Sequence, residues 1–187
     1  TELAKIWSMA RRSSWKRHLI YTIGHSTRSF EELVSMLRAF SVGALVDIRT
    51  VPRSLHNPQF NADTLRLRLR ARRIRYVPLP ELGGLRRARP DSLNTAWRNA
   101  SFRGYADYLS TDEFEEGVAK LHKLSQDATL ALMCAEAVPW RCHRSIVADL
   151  LCARGAQVEH IMGLGRASLH RLTPFAEVRG QRVTYPG

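Results

Sequence analysis

The sequence predicts an α/β fold: a single three-layer domain built on a mainly parallel, Rossmann-like sheet of about five strands. Two observations predict this class. Short apolar segments rich in β-branched residues alternate along the chain with longer segments in which apolar residues recur at helical spacing. Because parallel neighbours need crossover connections, we expect the intervening helices on both faces of the sheet. The length of 187 residues suits one such domain.

The first predicted strand is Leu19–Ile23, which ends at Gly24. The first predicted helix is Phe30–Phe40, because Ser29 and Glu32 have the spacing of a capping box just before a periodic apolar face.

The later segments continue this alternation, and Gly43 and Gly155 are expected to turn the chain out of two helices. In chain order they are strand Ala44–Ile48, a helix from Asn61 or Asp63 to Arg73, strand Ile74–Leu79, one or two helices within 103–125, strand Thr129–Met133, helix Cys142–Ala153 and strand Val158–Met162. A basic N-terminal arm, 1–18, precedes the α/β domain, 19–165, and a C-terminal tail, 166–187, is expected to pack on it.

Composition predicts a cytoplasmic protein without a membrane partner. No segment approaches the roughly 18 apolar residues of a membrane span, and residues 1–18 lack the apolar core of a secretory signal. Cys134, Cys142 and Cys152 are few and irregularly spaced, so we expect reduced thiols and no disulfide framework. No feature of the sequence specifies an oligomeric state.

The net charge of +12 suits a partner that carries phosphates, such as nucleic acid. The arm and the arginines of 66–75 and 86–89 could form such a surface. The alternative is coding bias, since 25 of the 29 basic residues are Arg.

Polar residues follow the predicted strands, and the carboxyl ends of parallel strands are where open α/β sheets bind ligands. Six residues are candidates for holding an anion: Gly24, His25, Ser26, Arg49, Arg53 and Arg144. The first three form a turn whose N–H groups could hold the anion, and the arginines would clamp it. The same residues could also form a capped turn and buried salt bridges without any ligand.

Four further residues are candidates for catalysis: Asp47, Cys134, Glu136 and His143. The three titratable groups could act as general acid or base, and Cys134, at a strand exit near arginines, could be a nucleophile. Cys134 could equally be a core residue, and Asp47 could pair with an arginine. The Cys-x7-Cys-His spacing is weak for zinc, so neither a metal nor a cofactor is predicted.

These motifs resemble the domain of unknown function 488 family. The resemblance is carried by Thr-Ile-Gly-His-Ser-Thr at 22–27, Val-Asp-Ile-Arg with Asn-Pro-Gln-Phe within 46–60, Leu-Gly-Gly at 82–84, and Cys-Ala-Glu with Cys-His-Arg-Ser within 134–145. It implies the domain and its cluster of edge residues but no particular reaction. Val46–Arg49 is also similar to a strand motif of rhodanese-like domains. Six residues separate Cys134 from Arg141, however, where that superfamily has a tight loop of five.

Three functional hypotheses follow. The first is an enzyme that binds a phosphorylated or nucleotide-like anionic ligand at the carboxyl edge of the sheet. The alternative is a non-enzymatic nucleic-acid-binding module. A weaker alternative is a thiol-dependent sulfur carrier or transferase that uses Cys134.

Overall fold

The computed structural model describes residues 15–187 and confirms the predicted α/β class, with one mainly parallel central sheet. Six strands build this sheet in the order β3-β2-β4-β1-β5-β6. Their bounds are β1 Leu19–Gly24, β2 Ala44–Asp47, β3 Arg75–Pro78, β4 Leu130–Cys134, β5 Gln157–Gly163 and β6 Arg166–Leu169. The first five strands run parallel, so their carboxyl ends meet at one edge.

Five α-helices lie among these strands in the described part of the chain. They are α1 Phe30–Ala39, α2 Ala62–Ala71, α3 Ala100–Tyr108, α4 Asp112–Asp127 and α5 Arg144–Ala153. The Ser29 hydroxyl caps α1 by accepting a hydrogen bond from the Glu32 N–H at 3.1 Å, as the capping box predicts. None of the described helices is long and apolar enough to cross a membrane.

Both faces of the sheet are covered by apolar side chains, which gives the three layers. One buried cluster includes Phe30, Leu33 and Leu65 from α1 and α2, and the other includes Phe114 and Ile146 from α4 and α5. Strands β1, β2 and β4 are buried along almost their whole length, as expected for central strands of a parallel sheet.

The turn after α1 differs from the expectation for Gly43. The left-handed residue is Ser41, with φ of 54°, whereas Gly43 does not adopt a positive φ. Gly155 does take the left-handed conformation, with φ of 100°, and ends α5 as predicted.

The two ends of the described chain contribute to the domain. Trp15, from the predicted arm, is fully buried, and residues 1–14 of that arm lie outside the described residues. In the tail, β6 pairs antiparallel with β5, and a hairpin of β7 (Glu177–Arg179) and β8 (Arg182–Thr184) precedes Tyr185, which is fully buried. The tail therefore supplies a sixth strand and core contacts.

Candidate functional site

The predicted site residues gather at the carboxyl edge of the sheet, but most of them are engaged with one another. They fall into three groups. We name them the Asp47 network (His25, Asp47, Arg49 and Tyr76), the Arg144 network (Thr22, Arg144, Asp149, His160 and His170) and the sulfur cluster (Cys134, Cys142 and His143).

The Asp47 network is a buried ion pair at the end of β2. Arg49 donates from Nε and Nη2 to the two carboxylate oxygens of Asp47 at 2.8 and 2.6 Å, and its backbone N–H also reaches Oδ1. The Tyr76 hydroxyl donates to Oδ2 at 2.7 Å, so each oxygen accepts two hydrogen bonds. Desolvation by burial and the neighbouring carboxylate raise the pKa of Tyr76, which stays protonated.

His25 extends this network and is held as a neutral ring. Its Nδ1 donates to the Ser26 carbonyl at 2.9 Å, and its Nε2 accepts from Arg49 at 3.2 Å. The ring stacks on Phe60, with centroids 4.4 Å apart. Burial lowers the pKa of His25, and the Arg49 cation acts in the same direction. Arg49 therefore donates to Asp47, to His25 and to the Phe60 carbonyl, and its role as a ligand clamp stays a prediction.

The predicted anion turn is likewise used by the protein itself. The N–H groups of His25 and Ser26 donate to the carbonyls of Cys134 and Ala135 at 3.0 and 2.8 Å. A Cβ at Gly24 would overlap the backbone carbonyl of Glu136, so this position accepts only glycine. The turn therefore joins β1 to the chain that leaves β4, and these two N–H groups are not available to a ligand.

Arg144 lies fully inside the domain, at the first residue of α5. It donates to the Glu136 carbonyl at 2.7 Å and to the Thr22 hydroxyl at 3.2 Å. Its Nε has no hydrogen-bond partner among the residues that the structure describes. Burial lowers the pKa of Arg144 to about 10, so the side chain is a cation at neutral pH. Part of the guanidinium therefore holds the loop that follows β4, and the role of Arg144 as an anion clamp stays a prediction.

The Arg144 network continues as a chain of hydrogen bonds to a buried carboxylate. Thr22 contacts His160 Nδ1 at 2.7 Å, His160 Nε2 contacts His170 Nδ1 at 2.9 Å, and His170 Nε2 donates to Asp149 at 2.8 Å. Asp149 also accepts from both Thr173 donors and from the Tyr185 hydroxyl. Burial lowers the pKa of His160 to about 3, which keeps this ring neutral. The network joins the edge of the sheet to the tail.

The sulfur cluster lies where β4 ends and α5 begins. Cys134 and Cys142, eight positions apart in sequence, are joined by a disulfide, which corrects the prediction of reduced thiols for this pair. Spacing could not show this pairing because it depends on the loop between them folding back. Cys142 Sγ also accepts the backbone N–H of Arg144 at 3.5 Å, at the positive end of the helix dipole. Cys152, on α5, is a free thiol.

Within the sulfur cluster, one ring nitrogen of His143 lies next to the sulfur of Cys142. Its Nε2 lies 3.1 Å from the Ile48 carbonyl and must donate to it, since a carbonyl only accepts. In the neutral ring Nδ1 is then unprotonated, and it lies 3.6 Å from Cys142 Sγ. Burial and, to a smaller extent, the Arg144 cation lower the pKa of His143 to about 4, although hydrogen bonds to the carbonyls of Ile48 and Leu82 oppose this shift. The ring is therefore neutral at physiological pH.

The remaining candidates are exposed. Glu136 lies in the loop between the two bonded cysteines, and Trp140 of the same loop is 64% exposed. Arg53 makes no hydrogen bond or ion pair with any other described residue. It lines an open cleft of about 560 Å³ formed by residues 50–55 and 61–64, beside the start of α2.

The arginines predicted to meet nucleic acid are partly neutralised. Arg68 and Arg72 pair with Glu31, Arg86 pairs with Glu113, and Arg89 pairs with Asp91. Four others on or next to α2 are exposed: Arg66, Arg70, Arg73 and Arg75. The basic surface is thus smaller than the net charge of +12 indicates.

Sequence reasoning missed Tyr76, His160 and His170 as members of the edge networks. Tyr76 lies in a strand and looks like ordinary core, and the two histidines lie in β5 and after β6, where no motif marks them. The available signal was the strand pattern of β5, in which a His among buried apolar residues needs a polar partner.

Comparison with known proteins gives one match. The model of a domain of unknown function, DUF488, matches residues 29–151, about two thirds of the chain. The match includes Asp47 and the sulfur cluster and begins after the Gly24–Ser26 turn. Neither a curated protein nor a solved structure matches, so the similarity to rhodanese-like domains has no support. The chain belongs to the DUF488 family.

Proposed function

We propose that this protein is a thiol-dependent redox enzyme in which Cys134 and Cys142 alternate between a disulfide and a pair of thiols. The single observation that supports this function is the disulfide itself, formed at the carboxyl end of β4 beside the first turn of α5. Disulfides that form in a thiol-rich cytoplasm are usually transient and catalytic or redox-sensing. In the predicted cytoplasmic location, low-molecular-weight thiols would reduce the pair.

Cys142 is the better nucleophile of the two. Its sulfur accepts the Arg144 N–H at the helix N-terminus, and both the hydrogen bond and the helix dipole favour a thiolate over a thiol. The unprotonated Nδ1 of His143 can accept a hydrogen bond from the Cys142 thiol before it ionises. Because the pKa of His143 is low, its ring does not keep the proton that the Cys142 thiol releases, and this proton passes to solvent.

The proposed reaction is reduction of a substrate disulfide. The Cys142 thiolate attacks one substrate sulfur and forms a mixed disulfide, and the other substrate sulfur leaves as a thiolate that takes a proton from solvent. Cys134 then loses its proton and attacks Cys142 Sγ, which closes the protein disulfide and releases the second substrate thiolate. Two low-molecular-weight thiols restore the dithiol and become a disulfide, so electrons and protons balance.

Trapping of the mixed disulfide tests this function. Fully reduced protein should reduce a small disulfide such as oxidised glutathione, and its mass should fall by two hydrogens. Cys134→Ser should accumulate glutathione on Cys142, whereas Cys142→Ser should be inactive. Cys152→Ser is the matched control and should behave as the wild type, because burial raises the pKa of Cys152 and leaves it less reactive. Glutathione found only on Cys152, or unchanged turnover in Cys142→Ser, would contradict the proposal.

A second candidate function is binding of an anionic ligand, phosphorylated or nucleotide-like, in the cleft of Arg53. The observation that favours it is the unpaired Arg53 side chain beside an open cleft at the start of α2. Titration with pyrophosphate and with adenosine monophosphate should show binding that Arg53→Ala removes. Arg75→Ala, an exposed arginine away from the cleft lining, is the matched control and should bind as the wild type. Equal binding by wild type and Arg53→Ala would exclude this cleft.

A further inference from the structure

We propose that the sulfur cluster, once its disulfide is reduced, is a binding site for a divalent metal ion of the zinc class, with Cys134 Sγ, Cys142 Sγ and His143 Nδ1 as ligands. The inference rests on the proposed function only in requiring that the pair can be reduced. Each of these residues offers one donor atom, and the three atoms lie within 4.8 Å of one another. Thiolate sulfur and imidazole nitrogen are the ligands that zinc prefers in proteins.

The distance between the imidazole and the nearer sulfur already fits a shared ion. A tetrahedral zinc with bonds of about 2.3 Å to sulfur and about 2.0 Å to nitrogen places these two atoms about 3.5 Å apart. The distance between Cys142 Sγ and His143 Nδ1 is 3.6 Å. Little movement of His143 is therefore needed to place both donors on one ion.

The two sulfurs must separate, and the backbone leaves them room to do so. Two thiolates on a tetrahedral zinc lie about 3.8 Å apart. The Cα atoms of Cys134 and Cys142 are 7.4 Å apart. After reduction the two side chains can point to a common ion without the backbone having to open.

The second ring nitrogen of His143 is held in the manner of a metal ligand. Metal-binding histidines usually donate their other N–H to a carboxylate or a backbone carbonyl, which fixes the tautomer and the ring orientation. His143 Nε2 donates to the Ile48 carbonyl at 3.1 Å, and this leaves Nδ1 unprotonated at 3.6 Å from Cys142 Sγ.

Gly84 bounds the site on the side of the imidazole. A Cβ at this position would lie 2.9 Å from His143 Nδ1 and 3.3 Å from Cε1. A side chain there would press on the donor atom, so the glycine keeps the space beside Nδ1 free. Three protein ligands leave a fourth coordination position, which in zinc enzymes is taken by water or substrate.

Titration of the full, reduced chain with Co²⁺ alone tests the site. We expect one ion per chain, with the intense visible bands of tetrahedral cobalt and a thiolate-to-cobalt charge-transfer band, both abolished by added Zn²⁺. The oxidised protein has the same sequence and should show neither band, because its two ligand sulfurs are bonded to each other. Each of three variants should weaken cobalt binding by about 100-fold or more: Cys134→Ser, Cys142→Ser and His143→Gln. Replacement of a residue that only hydrogen-bonds to a metal ligand already lowers metal affinity by roughly 10- to 100-fold. Cys152→Ser should bind as the reduced wild type.

The results separate this site from the redox function. Absence of both cobalt bands from the reduced wild type, or an unchanged cobalt affinity in His143→Gln, would overturn the inference. If the reduced protein binds cobalt but chelator-treated protein does not reduce oxidised glutathione, the metal site stands and the redox function falls. If chelator-treated protein is redox-active but cobalt does not bind, only the metal site falls.

Discussion

The Asp47 network and the sulfur cluster lie at the same edge of one sheet, yet they differ in how fully their atoms are hydrogen-bonded. In the Asp47 network each carboxylate oxygen accepts two hydrogen bonds, and Arg49 donates to Asp47, His25 and Phe60. In the sulfur cluster, the unprotonated Nδ1 of His143 lies 3.6 Å from Cys142 Sγ, and the ligand atoms of the three residues lie within 4.8 Å of one another.

This difference separates a structural site from a chemical one. A buried charge is stable only when its partners are complete, and a complete set leaves nothing for a ligand. Arg49, one of the arginines predicted to clamp a ligand, therefore holds the edge together, whereas the cysteines and the imidazole retain atoms that can react or bind.

Breaking the Asp47 network should have the largest effect. Asp47→Ala leaves the buried Arg49 cation without its partner, and loss of one member of a buried pair costs about 3–5 kcal/mol. Urea denaturation of both proteins measures this difference. Asp91→Ala removes an exposed partner of Arg89 and should leave the free energy of unfolding nearly unchanged. A comparably small effect of Asp47→Ala would mean that the network is not structural.

Reduction should have the next largest effect and should act only on the sulfur cluster. A disulfide that closes a loop of eight residues stabilises by roughly 2–3 kcal/mol in the chain-entropy model. Metal-free wild type should lose about this much stability when reduced, and Cys142→Ser should be as stable with reductant as without it. Equal stability of the oxidised and reduced wild type would show that the pair is not a structural crosslink.

Removal of one hydrogen bond from the Asp47 network should have a smaller effect. Tyr76→Phe deletes the donor to Asp47 Oδ2 but leaves the ion pair with Arg49, so we expect a loss of about 1–2 kcal/mol. Thermal or urea unfolding measures this loss. Tyr21→Phe, a change in a buried tyrosine of the same sheet outside the network, controls for loss of a hydroxyl. A loss as large as that of Asp47→Ala would mean that Tyr76, and not Arg49, stabilises the carboxylate.

A decrease in pH should destabilise the protein through the neutral imidazole of His143. Burial lowers the pKa of His143 from 6.5 to about 4, so between these values the unfolded chain binds a proton that the folded chain does not. Stability from this group is complete above about pH 6.5 and falls as the pH decreases. From pH 7 to 5.5 the reduced, metal-free wild type should lose about 1 kcal/mol more stability than His143→Gln. Parallel pH profiles of the two proteins would show that His143 is not kept neutral by the fold.

Much of the fold could be predicted because each element carries its own periodicity. The five predicted strands and the helix that begins after Ser29 are present, as are helices at 62–71, 100–108, 112–127 and 144–153. The strand β6 was missed because its burial pattern is mostly exposed, and its place in the sheet depends on pairing with β5. Strand order and edge contacts arise from long-range pairing, which no local pattern records.

By itself, the sequence determined the alternation of strands and helices and, with it, the edge at which polar residues collect, because element type follows from local spacing and parallel strands bring their carboxyl ends together. Only the tertiary structure decided which of those residues are mutually satisfied and which keep reactive atoms. Asp47 accepts hydrogen bonds from Arg49 and Tyr76, and Arg144 donates to carbonyls of the loop after β4. Cys134 is bonded to Cys142 beside His143. These pairings depend on angstrom-scale distances between segments far apart in sequence, and such distances are set by packing of the whole domain.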